Sequence, residues 1–496
     1  MKVLDLIVFL TYMVGVIAFG SSFYKKNKSS SAFTLGNSNI PGWVVTMSIF
    51  ATFVSSISFL ALPGNAFQSN WNAFVFSLSI PVASFMAVKF FVPLYRKANS
   101  PSAYAYLETR FGPWARVYAS ACYLLTQLMR MGTILYLLAL PVNAMFGWNI
   151  VIIIVVTGLA VMLYSMLGGL QAVVWTDAIQ GIIMISGAVL CLVFILFAMP
   201  EGPSQMFEIA NANNKFSLGS FKLNLTQSTF WVVLIYGIFI NLQNYGIDQN
   251  YVQRYMASRS DREAKRSALI GGLLYIPVSL VFFLIGTALY SYYTAVPDAL
   301  PAEYTAEGMS DRVFPFFIVN NLPAGFTGLL IASIFAAGMS TISTSVNSSS
   351  TVILTDYYQR FAKKAITDKD SMKVLYTSSV VFSVIGIIIG VAMINVQSAL
   401  DAWWKLASIF SGGMLGLFLL GAFVKVVNVR GAIIGVILGL IAILWLSLSP
   451  MIFTKEPFLN LASPLHTYLT IVIGTLIIFF TGFLATIWNK EAGSSK

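Results

Sequence analysis

Charged side chains are scarce in this sequence. They make up 9% of its 496 residues, whereas about a quarter of the residues are charged in an ordinary soluble domain. Apolar residues make up 58%, so a soluble globular protein is excluded. The 29 Lys and Arg residues exceed the 18 Asp and Glu residues and give a net charge of +11. These cations are scattered between long uncharged stretches instead of clustering with aromatic residues, so nucleic acid is not an expected partner.

Cysteine and histidine are almost absent. The two cysteines, Cys122 and Cys191, both fall inside apolar runs, and His466 is the single histidine. This set provides neither a disulfide framework nor a zinc site of Cys and His ligands. No nucleophile with a base and no pair of carboxylates stands out, so we do not expect an enzyme.

Long uncharged runs dominate the chain instead. About 20 mostly apolar residues suffice to span a bilayer, and a run such as 29–88 is longer than one span requires. Splitting such runs at turn sequences, for example Gly168-Gly169, predicts about 13 transmembrane helices. Residues 3–24 lack a clear cleavage pattern and are interpreted as a retained N-terminal helix. The prediction is an all-α integral membrane protein with one polytopic membrane domain over residues 1–496.

The charges of the loops predict an orientation, because short cytoplasmic loops carry an excess of Lys and Arg. The cations of this chain concentrate in alternate loops: Lys25, Lys26 and Lys28; Arg96 and Lys97; Arg254, Arg259, Arg262, Lys265 and Arg266; Arg360, Lys363, Lys364, Lys369 and Lys373; Lys425 and Arg430. The opposite loops are poor in cations. We therefore expect a multi-pass protein of the cell (inner) membrane, in contact with the lipid bilayer, with its N-terminus outside and its C-terminus in the cytoplasm. A monomer is expected.

A first cluster of polar residues interrupts the second predicted span. Ser55, Ser56 and Ser58 lie at mid-membrane depth, shortly before Pro63-Gly64. Ser and Thr commonly line the contacts between packed membrane helices, which is one interpretation. The other is a discontinuous helix whose freed carbonyls bind a cation or a substrate.

A second cluster, between Ala336 and Ser350, is denser in hydroxyl groups than helix packing requires. Its hydroxyls cover adjacent faces of one helix: Ser340, Thr341, Ser343, Thr344 and Ser345. Hard oxygen donors without a strong anion suit a monovalent cation that must bind and leave. We favour this interpretation over packing, because polar clusters inside membranes are usually functional.

Two charges lie within otherwise apolar segments. Asp177 is at the cytoplasmic start of a span, where it either complements the helix dipole or acts as a cation ligand or proton carrier. Arg130 lies near mid-depth, where a guanidinium costs at least ~2.5 kcal/mol and requires a partner or a wet cavity. That partner is Asp177, a set of backbone carbonyls, or the carboxylate of a substrate.

The segment Asn241 to Gln249 is rich in amides and contains Gly246. It is either a polar helix end or an interrupted helix that offers donors and acceptors to a sugar-like solute. The segment lies five predicted spans after the interruption at Ser55, and two broken spans at equivalent places are typical of an inverted repeat.

These residues resemble the sodium:solute symporter family, and the resemblance extends from the first span to about Gly435. Further family-like stretches are Tyr104 to Phe111, Gly168 to Gly181, Gln253-Arg254-Tyr255 and Gly416 to Ala432. The resemblance implies a leucine-transporter-like fold, with a five-helix repeat present twice in inverted orientation and flanking helices. On this sequence the helix 3–24 is followed by the first repeat over 42–200, the second over 225–424 and two C-terminal helices over 430–490.

The resemblance also implies two sodium sites, with two sodium ions expected per transport cycle. Site one combines carbonyls with hydroxyls: the carbonyls of Ala51, Val54 and Ala337 and the hydroxyls of Ser340 and Thr341. Site two, present in some members of the family, matches four oxygen-bearing residues: Asp177, Ser340, Ser343 and Thr344.

The bacterial sialic acid branch of the family is the most similar in appearance. There, residues matching Ser55, Ser58 and Arg130 bind the carboxylate of the sugar acid. This chain has Ala73 and Ser77 where that branch has an aromatic residue and a glutamine, so a different carboxylated sugar or small organic anion also fits. The predicted substrate-binding residues are Ser55, Ser58, Ser77, Arg130, Asn241 and Asn244.

The sequence therefore predicts a sodium-coupled symporter that imports a small organic solute, such as the carboxylated sugar sialic acid, by alternating access. The alternative is a sodium symporter for a neutral sugar, inositol or a monocarboxylate, in which Arg130 is structural. A passive channel is a further alternative, but it would not need a buried arginine beside an amide-lined site.

Overall fold

The computed structural model describes residues 3–98, 100–305, 309–363, 365–396, 399–453 and 458–494. Within these residues the chain is built of helices, and its β-structure is limited to a bridge between Ile40 and Ser258. The α-helices, in chain order, are α1 (Val3–Ser22), α2 (Ser30–Leu35), α3 (Gly42–Phe53), α4 (Leu62–Gln68), α5 (Val75–Leu78), α6 (Ile80–Met86), α7 (Val92–Ala98), α8 (Ala105–Phe111), α9 (Pro113–Phe146), α10 (Ile150–Phe197), α11 (Pro203–Ala212), α12 (Phe230–Ile247), α13 (Gln249–Ala257), α14 (Asp261–Leu273), α15 (Tyr275–Ala295), α16 (Ser310–Asn321), α17 (Phe326–Val352), α18 (Gln359–Phe361), α19 (Asp368–Ala392), α20 (Ala399–Phe423), α21 (Val429–Ile452) and α22 (Leu469–Ser494). Three π-helical segments, Ile57–Ala61, Ala87–Phe91 and Ile353–Tyr358, extend or join them.

The described residues contain ten helices long and apolar enough to cross a membrane, and α3 with Ile57–Gln68, bent by 58°, makes an eleventh span. α10 has 48 residues and at 1.5 Å per residue would be about 72 Å long, more than twice the ~30 Å hydrocarbon core of a bilayer. It therefore comprises two spans, which meet at Gly169, where the backbone angles are not helical. With α20, whose apolar part is Ala407–Phe423, the count reaches the predicted number of about 13.

The turn inside α10 requires glycine. Gly169 has φ 58° and ψ −163°, a combination essentially restricted to glycine. A Cβ atom there would lie 2.6 Å from Oδ1 of Asn27, whose amide donates a hydrogen bond to the carbonyl of Leu167 (3.0 Å). The sequence prediction of a turn at Gly168-Gly169 is thus confirmed, and the reason is both conformational and steric.

Alanine at Gly169 is expected to lower the melting temperature of the detergent-purified protein more than alanine at Gly147. Gly147 also has a positive φ, 67°, and a left-handed residue other than glycine costs about 1–2 kcal/mol. A Cβ at Gly147 meets nothing within 4 Å, so this variant carries the backbone cost without a steric conflict. Equal shifts in the two variants would contradict the combined conformational and steric requirement for glycine at position 169.

Two helices are interrupted at corresponding places. Between α3 and α4, Val54 has extended backbone angles (φ −79°, ψ 123°). Between α12 and α13, Asp248 does the same (φ −75°, ψ 128°). Each interruption opens a set of five spans, the first ending with α10 and the second with α20. The bounds of the repeats, 42–200 and 225–424, remain predictions.

The hydroxyl-rich helix α17 lies at the centre of the molecule. Every residue from Leu330 to Val352 is buried, and the helix packs against α1, α3, α9, α10, α13 and α19. The outer surface is apolar instead, with exposed side chains such as Ile152, Val156 and Ile441. The hydroxyl groups thus lie in the centre of the molecule, and the surface is apolar. This arrangement is expected when polar groups inside a membrane protein are functional.

Candidate functional site

A cavity of about 70 Å³ lies at the break between α3 and α4. Residues of α5, α9, α12, α15 and α20 complete its wall. The structure brings together five of the six predicted substrate-binding residues at this wall: Ser55, Ser58, Ser77, Arg130 and Asn244.

Asn241, the sixth predicted residue, is not among the residues that line the cavity. Its side-chain amide donates hydrogen bonds to the carbonyl of Phe76 (3.3 Å) and the hydroxyl of Ser79 (2.9 Å). These contacts join α12 to α5 and α6, so Asn241 takes part in packing. Its assignment to the substrate remains a prediction.

Arg130 binds the end of the first broken helix. Its Nη2 donates a hydrogen bond to the carbonyl of Thr52 (2.8 Å), which lies in the last turn of α3, where carbonyls lack partners within the helix. A cation is also favourable there because of the helix dipole. Among the described residues no carboxylate lies within 4.0 Å of the guanidinium, whose central carbon is 5.8 Å from the ring of Trp403. Arg130 therefore combines a carbonyl partner with a place on the cavity wall, and Asp177 is not its partner.

Asp248 forms the second break and also lines the cavity. Its Oδ1 accepts a hydrogen bond from the backbone N–H of Asn250 (2.8 Å), as an N-cap residue does at the start of a helix. Its Oδ2 accepts a hydrogen bond from Nε2 of Gln127 (3.2 Å). Gln127 and Arg130 are three residues apart on α9 and so share one face of that helix. One face of α9 thus contacts both interrupted helices.

The residues predicted for sodium site one lie together between α3 and α17. The hydroxyl of Ser340 donates to the carbonyls of Ala51 (2.9 Å) and Ala337 (3.5 Å). The hydroxyl of Thr341 also donates to Ala337 (3.2 Å), and Val54 is the extended residue at the break, three positions after Ala51. The site therefore joins a broken helix to the central helix, with oxygen atoms suited to a hard cation.

The residues predicted for sodium site two form a second cluster beside the first. Ser340 belongs to both sets, and the hydroxyl of Ser343 donates to the carbonyl of Ser340 (3.0 Å). The carboxylate of Asp177 is fully buried and accepts a hydrogen bond from Ser48 (2.6 Å). It also forms an ion pair with Arg254, whose Nη2 is 2.6 Å from Oδ2 of Asp177.

The position of Arg254 corrects the prediction that it is a loop cation. Its side chain is 0% exposed, and it lies on α13, within the helical core. A charge count cannot distinguish a buried arginine near a helix end from an exposed loop arginine. The pattern Gln253-Arg254-Tyr255 is one of the stretches that resemble the family, but nothing in the sequence alone paired Arg254 with Asp177.

The C-terminal end of α4, the second half of the first broken helix, is bound by a lysine from the connection that follows α11. Nζ of Lys215 donates hydrogen bonds to the carbonyls of Phe67 (2.7 Å) and Ser69. It also lies 4.0 Å from the centre of the Tyr290 ring. Burial lowers the pKa of the Lys215 amine to about 8, because the charged form loses hydration. The end of α4 is therefore held by a side chain from outside the helix, on the side away from the break at Val54.

Comparison with known proteins places this architecture among membrane transporters. Residues 33–439 match the sodium:solute symporter family. The chain is 35% identical to the sodium/sialic acid symporter of Proteus mirabilis over 87% of each chain. It is 32% identical to the sodium/sialic acid symporter of Aliivibrio fischeri over 97% of this chain and 92% of that protein.

Solved structures agree with the sequence relatives. The fold matches a substrate-bound, outward-open structure of a Na⁺-coupled sialic acid symporter that contains a novel Na⁺ site, with a TM-score of 0.90 and 31% identity over 98% of both chains. It also matches Mhp1, a nucleobase-cation-symport-1 family transporter in a closed conformation, with a TM-score of 0.57 at 14% identity. The second likeness concerns the fold alone. The predicted leucine-transporter-like fold is confirmed by these matches.

Proposed function

The chain belongs to the sodium:solute symporter family, and from this we propose that it imports a carboxylated sugar, sialic acid or a close analogue, together with two sodium ions. The observation that supports an acidic substrate most directly is Arg130. This guanidinium lines a polar cavity without a carboxylate partner among the described residues. Asp248 lies on the same wall but beyond ion-pair distance, so a substrate carboxylate would supply Arg130 with a direct partner through paired hydrogen bonds.

The rest of the cavity wall favours a polyhydroxyl acid over a simple monocarboxylate. Asp248, Asn244 and Gln243 line it together with the hydroxyls of Ser58 and Ser77. Asp248 accepts hydrogen bonds from Asn250 and Gln127, and its carboxylate has further lone pairs that substrate hydroxyls can fill. The hydroxyl and amide groups of a sugar acid supply several such donors, whereas lactate carries a single hydroxyl and pyruvate carries none.

Two small residues on the wall bear on which sugar acid fits. Ala73 and Ser77 both line the cavity, and the sialic acid branch that the chain resembles has an aromatic residue and a glutamine at these positions. Ser77 is within hydrogen-bond distance of the hydroxyl of Ser279 (2.8 Å), so it is partly engaged in packing. The smaller pair leaves more room, which supports acceptance of sugar acids with bulkier substituents.

Two sodium ions would provide the driving force. One net positive charge that moves across 100 mV yields about 2.3 kcal/mol. Two sodium ions with one monoanionic substrate carry one net charge, which supports accumulation of about fifty-fold before the sodium gradient is counted. The proposed ligands are those of site one, Ala51, Val54, Ala337, Ser340 and Thr341, and those of site two, Asp177, Ser340, Ser343 and Thr344. Because Ser340 belongs to both sets, the two ions would bind side by side along α17.

We place the protein in the cell (inner) membrane with its N-terminus outside and its C-terminus in the cytoplasm. Asp5 accepts hydrogen bonds from the backbone of Gly325 (2.6 Å) and Gly328 (3.1 Å), so the start of α1 and the start of α17 share one side. The backbone N–H of His466 donates to the carbonyl of Leu225 (2.8 Å), which puts the start of α22 beside the connection that precedes α12. The basic loops lie at the opposite ends of these helices, as the excess of cations in cytoplasmic loops requires.

The test is thermal stabilisation of the detergent-purified protein by N-acetylneuraminic acid, by its methyl ester, and by glucose, inositol and lactate, each in sodium and in potassium. We expect the free acid to raise the melting temperature in sodium only, because the ester lacks the charge that Arg130 requires. The ester is the matched control, since it keeps every hydroxyl and amide group. Stabilisation by the ester, by a neutral sugar or by lactate equal to that by the acid would instead favour the alternative function, with Arg130 structural.

A further inference from the structure

The predicted second sodium site contains a protein cation. Nη2 of Arg254 lies 2.6 Å from Oδ2 of Asp177 and 2.6 Å from Oγ1 of Thr344. Both oxygens belong to the set proposed for the second sodium ion. A single nitrogen of the guanidinium thus lies between two of the four residues that would bind the metal.

The remaining nitrogens of Arg254 are bound as well. Nε donates to the hydroxyl of Ser48 (2.7 Å) and Nη1 donates to the carbonyl of Asn250 (2.6 Å). The hydroxyl of Ser48 in turn donates to Oδ2 of Asp177 (2.6 Å). Among the described residues, the other carboxylate oxygen, Oδ1, accepts no hydrogen bond although it is buried. Asp177 therefore has one oxygen that is fully engaged and one that is available to a further ligand.

The net charge of the site determines whether sodium and Arg254 can both bind to Asp177. A buried carboxylate requires a counter-cation, and a guanidinium is always protonated. Asp177 supplies one negative charge, so a sodium ion and Arg254 bound to it together would leave a net positive charge in a buried site. The two cations also need the same oxygen of Thr344. Hence they compete.

We infer that Arg254 is the internal counter-ion of Asp177 and that the second sodium ion binds by displacing its guanidinium from Asp177 and Thr344. This inference rests on the proposed second sodium site. The displaced guanidinium keeps its bonds to Ser48 and Asn250 if it pivots about Nε and Nη1, so displacement does not require the helix to unfold. Sodium at site two is therefore opposed by an ion pair that the protein itself supplies.

The same short helix connects this exchange to the substrate cavity. α13 starts directly after Asp248, which lines the cavity, and it carries Arg254 six residues later. Asn250 accepts a hydrogen bond from Arg254 and donates one to Asp248. A substrate that contacts Asp248 and a sodium ion that displaces Arg254 thus act on one rigid element, and two ligands that bias the same element are coupled.

The test is the sodium dependence of the melting temperature, measured without substrate in sodium and choline mixtures of constant ionic strength. The variants are R254Q, D177N and the double variant D177N/R254Q. R116Q is the matched control, because Arg116 also forms an ion pair with a buried carboxylate, Asp356 (2.6 Å), where no sodium ligand is proposed. Its loss should destabilise the protein without changing the sodium dependence.

In R254Q we expect the sodium concentration for half-maximal stabilisation to fall at least tenfold, because the competitor of sodium is gone. D177N and the double variant should lose the second sodium ion, so their sodium dependence becomes less steep. An R254Q dependence that matches wild type or R116Q would overturn the inference and leave the symport proposal intact. Absence of any sodium dependence in wild type would instead overturn the proposed function.

If R254Q does not yield folded protein, R254K carries the measurement. Lysine keeps the charge but has one compact ammonium group in place of the planar guanidinium, so it competes less effectively for Asp177 and Thr344. We expect half-maximal stabilisation at a sodium concentration below that of wild type. An unchanged or higher concentration in R254K would contradict displacement.

Discussion

Replacing Arg130 with alanine is expected to abolish sodium-dependent binding of sugar acids. Truncating one partner of a buried, hydrogen-bonded charge pair costs about 2–5 kcal/mol, or roughly 30- to 4,000-fold in affinity. Arg130 is the cation on the cavity wall that has no carboxylate within ion-pair distance among the described residues. The measurement is titration calorimetry of N-acetylneuraminic acid in sodium and in potassium.

The control for this variant must separate charge recognition from helix capping, because Arg130 also donates to the carbonyl of Thr52. Arg110 provides it: this arginine donates to the carbonyls of Val424 and Lys425 at the end of α20 and does not line the cavity. R110A should lower stability but leave the affinity within a few-fold of wild type. If R130A and R110A weaken binding equally, Arg130 acts on the fold and the proposal of an acidic substrate fails.

Lysine at position 130 gives a graded result. It retains the positive charge and the ability to donate to Thr52, but it lacks the fork that binds a carboxylate through two parallel hydrogen bonds. We expect R130K to bind sugar acids more weakly than wild type and more tightly than R130A. A wild-type affinity in R130K would mean that the positive charge alone is required and that the carboxylate is bound through one contact.

The polar interruptions of the apolar runs were predictable from the sequence, because polar groups are rare and costly inside a membrane. Ser55, Gly169 and the hydroxyls of α17 all interrupt an apolar pattern. Ser55 and Gly169 lie at non-helical breaks, and the hydroxyls of α17 lie in the buried centre of the fold. In lipid, every unpaired backbone group costs several kcal/mol. Residues that interrupt a helix within an apolar run therefore stand out in the sequence. The number of spans follows from the same argument.

Pairing between distant residues was not predictable. Arg130 and Asp177 are the two intramembrane charges that the sequence makes conspicuous, yet Asp177 pairs with Arg254. Arg254 lies among the cations of a basic loop in the sequence, and only the direction of α13 turns it inward. Gln127, whose carbonyl oxygen accepts a hydrogen bond from Ser345 (2.7 Å), shows the same limit, because a glutamine in a helix does not reveal which helices it joins.

Amides were the weakest guide to the site. Asn241 and Asn244 are three residues apart on α12, and both were assigned to the substrate from the same cluster. Asn244 lines the cavity, whereas Asn241 donates to Phe76 and Ser79. A side-chain amide offers the same donors to a solute and to a neighbouring helix. Only the packing of α12 against α6 decides between them, and the sequence does not contain that information locally.

Replacing Ser340 with alanine is expected to raise the sodium concentration needed for half-maximal stabilisation by about 10- to 150-fold, because interactions of a neutral group with a charge contribute about 1.5–3 kcal/mol. The hydroxyl of Ser340 belongs to both proposed sodium sites and donates to the carbonyl of Ala51 across the first break. Its loss should therefore weaken both ions at once. The measurement is the melting temperature as a function of sodium concentration.

Variants of neighbouring hydroxyls separate the two sites. T341V removes a ligand of site one and T344V a ligand of site two, each with little change of shape, so each should weaken one ion and make the sodium dependence less steep. Ser333 is the matched control on the same helix: it is buried and donates to Leu329 (2.9 Å) and Ile183 (3.2 Å), two turns from Ser340. Because S333A loses comparable hydrogen bonds, a sodium dependence in S333A as weakened as that in S340A would show that α17 responds to any lost hydroxyl and that Ser340 is no ligand.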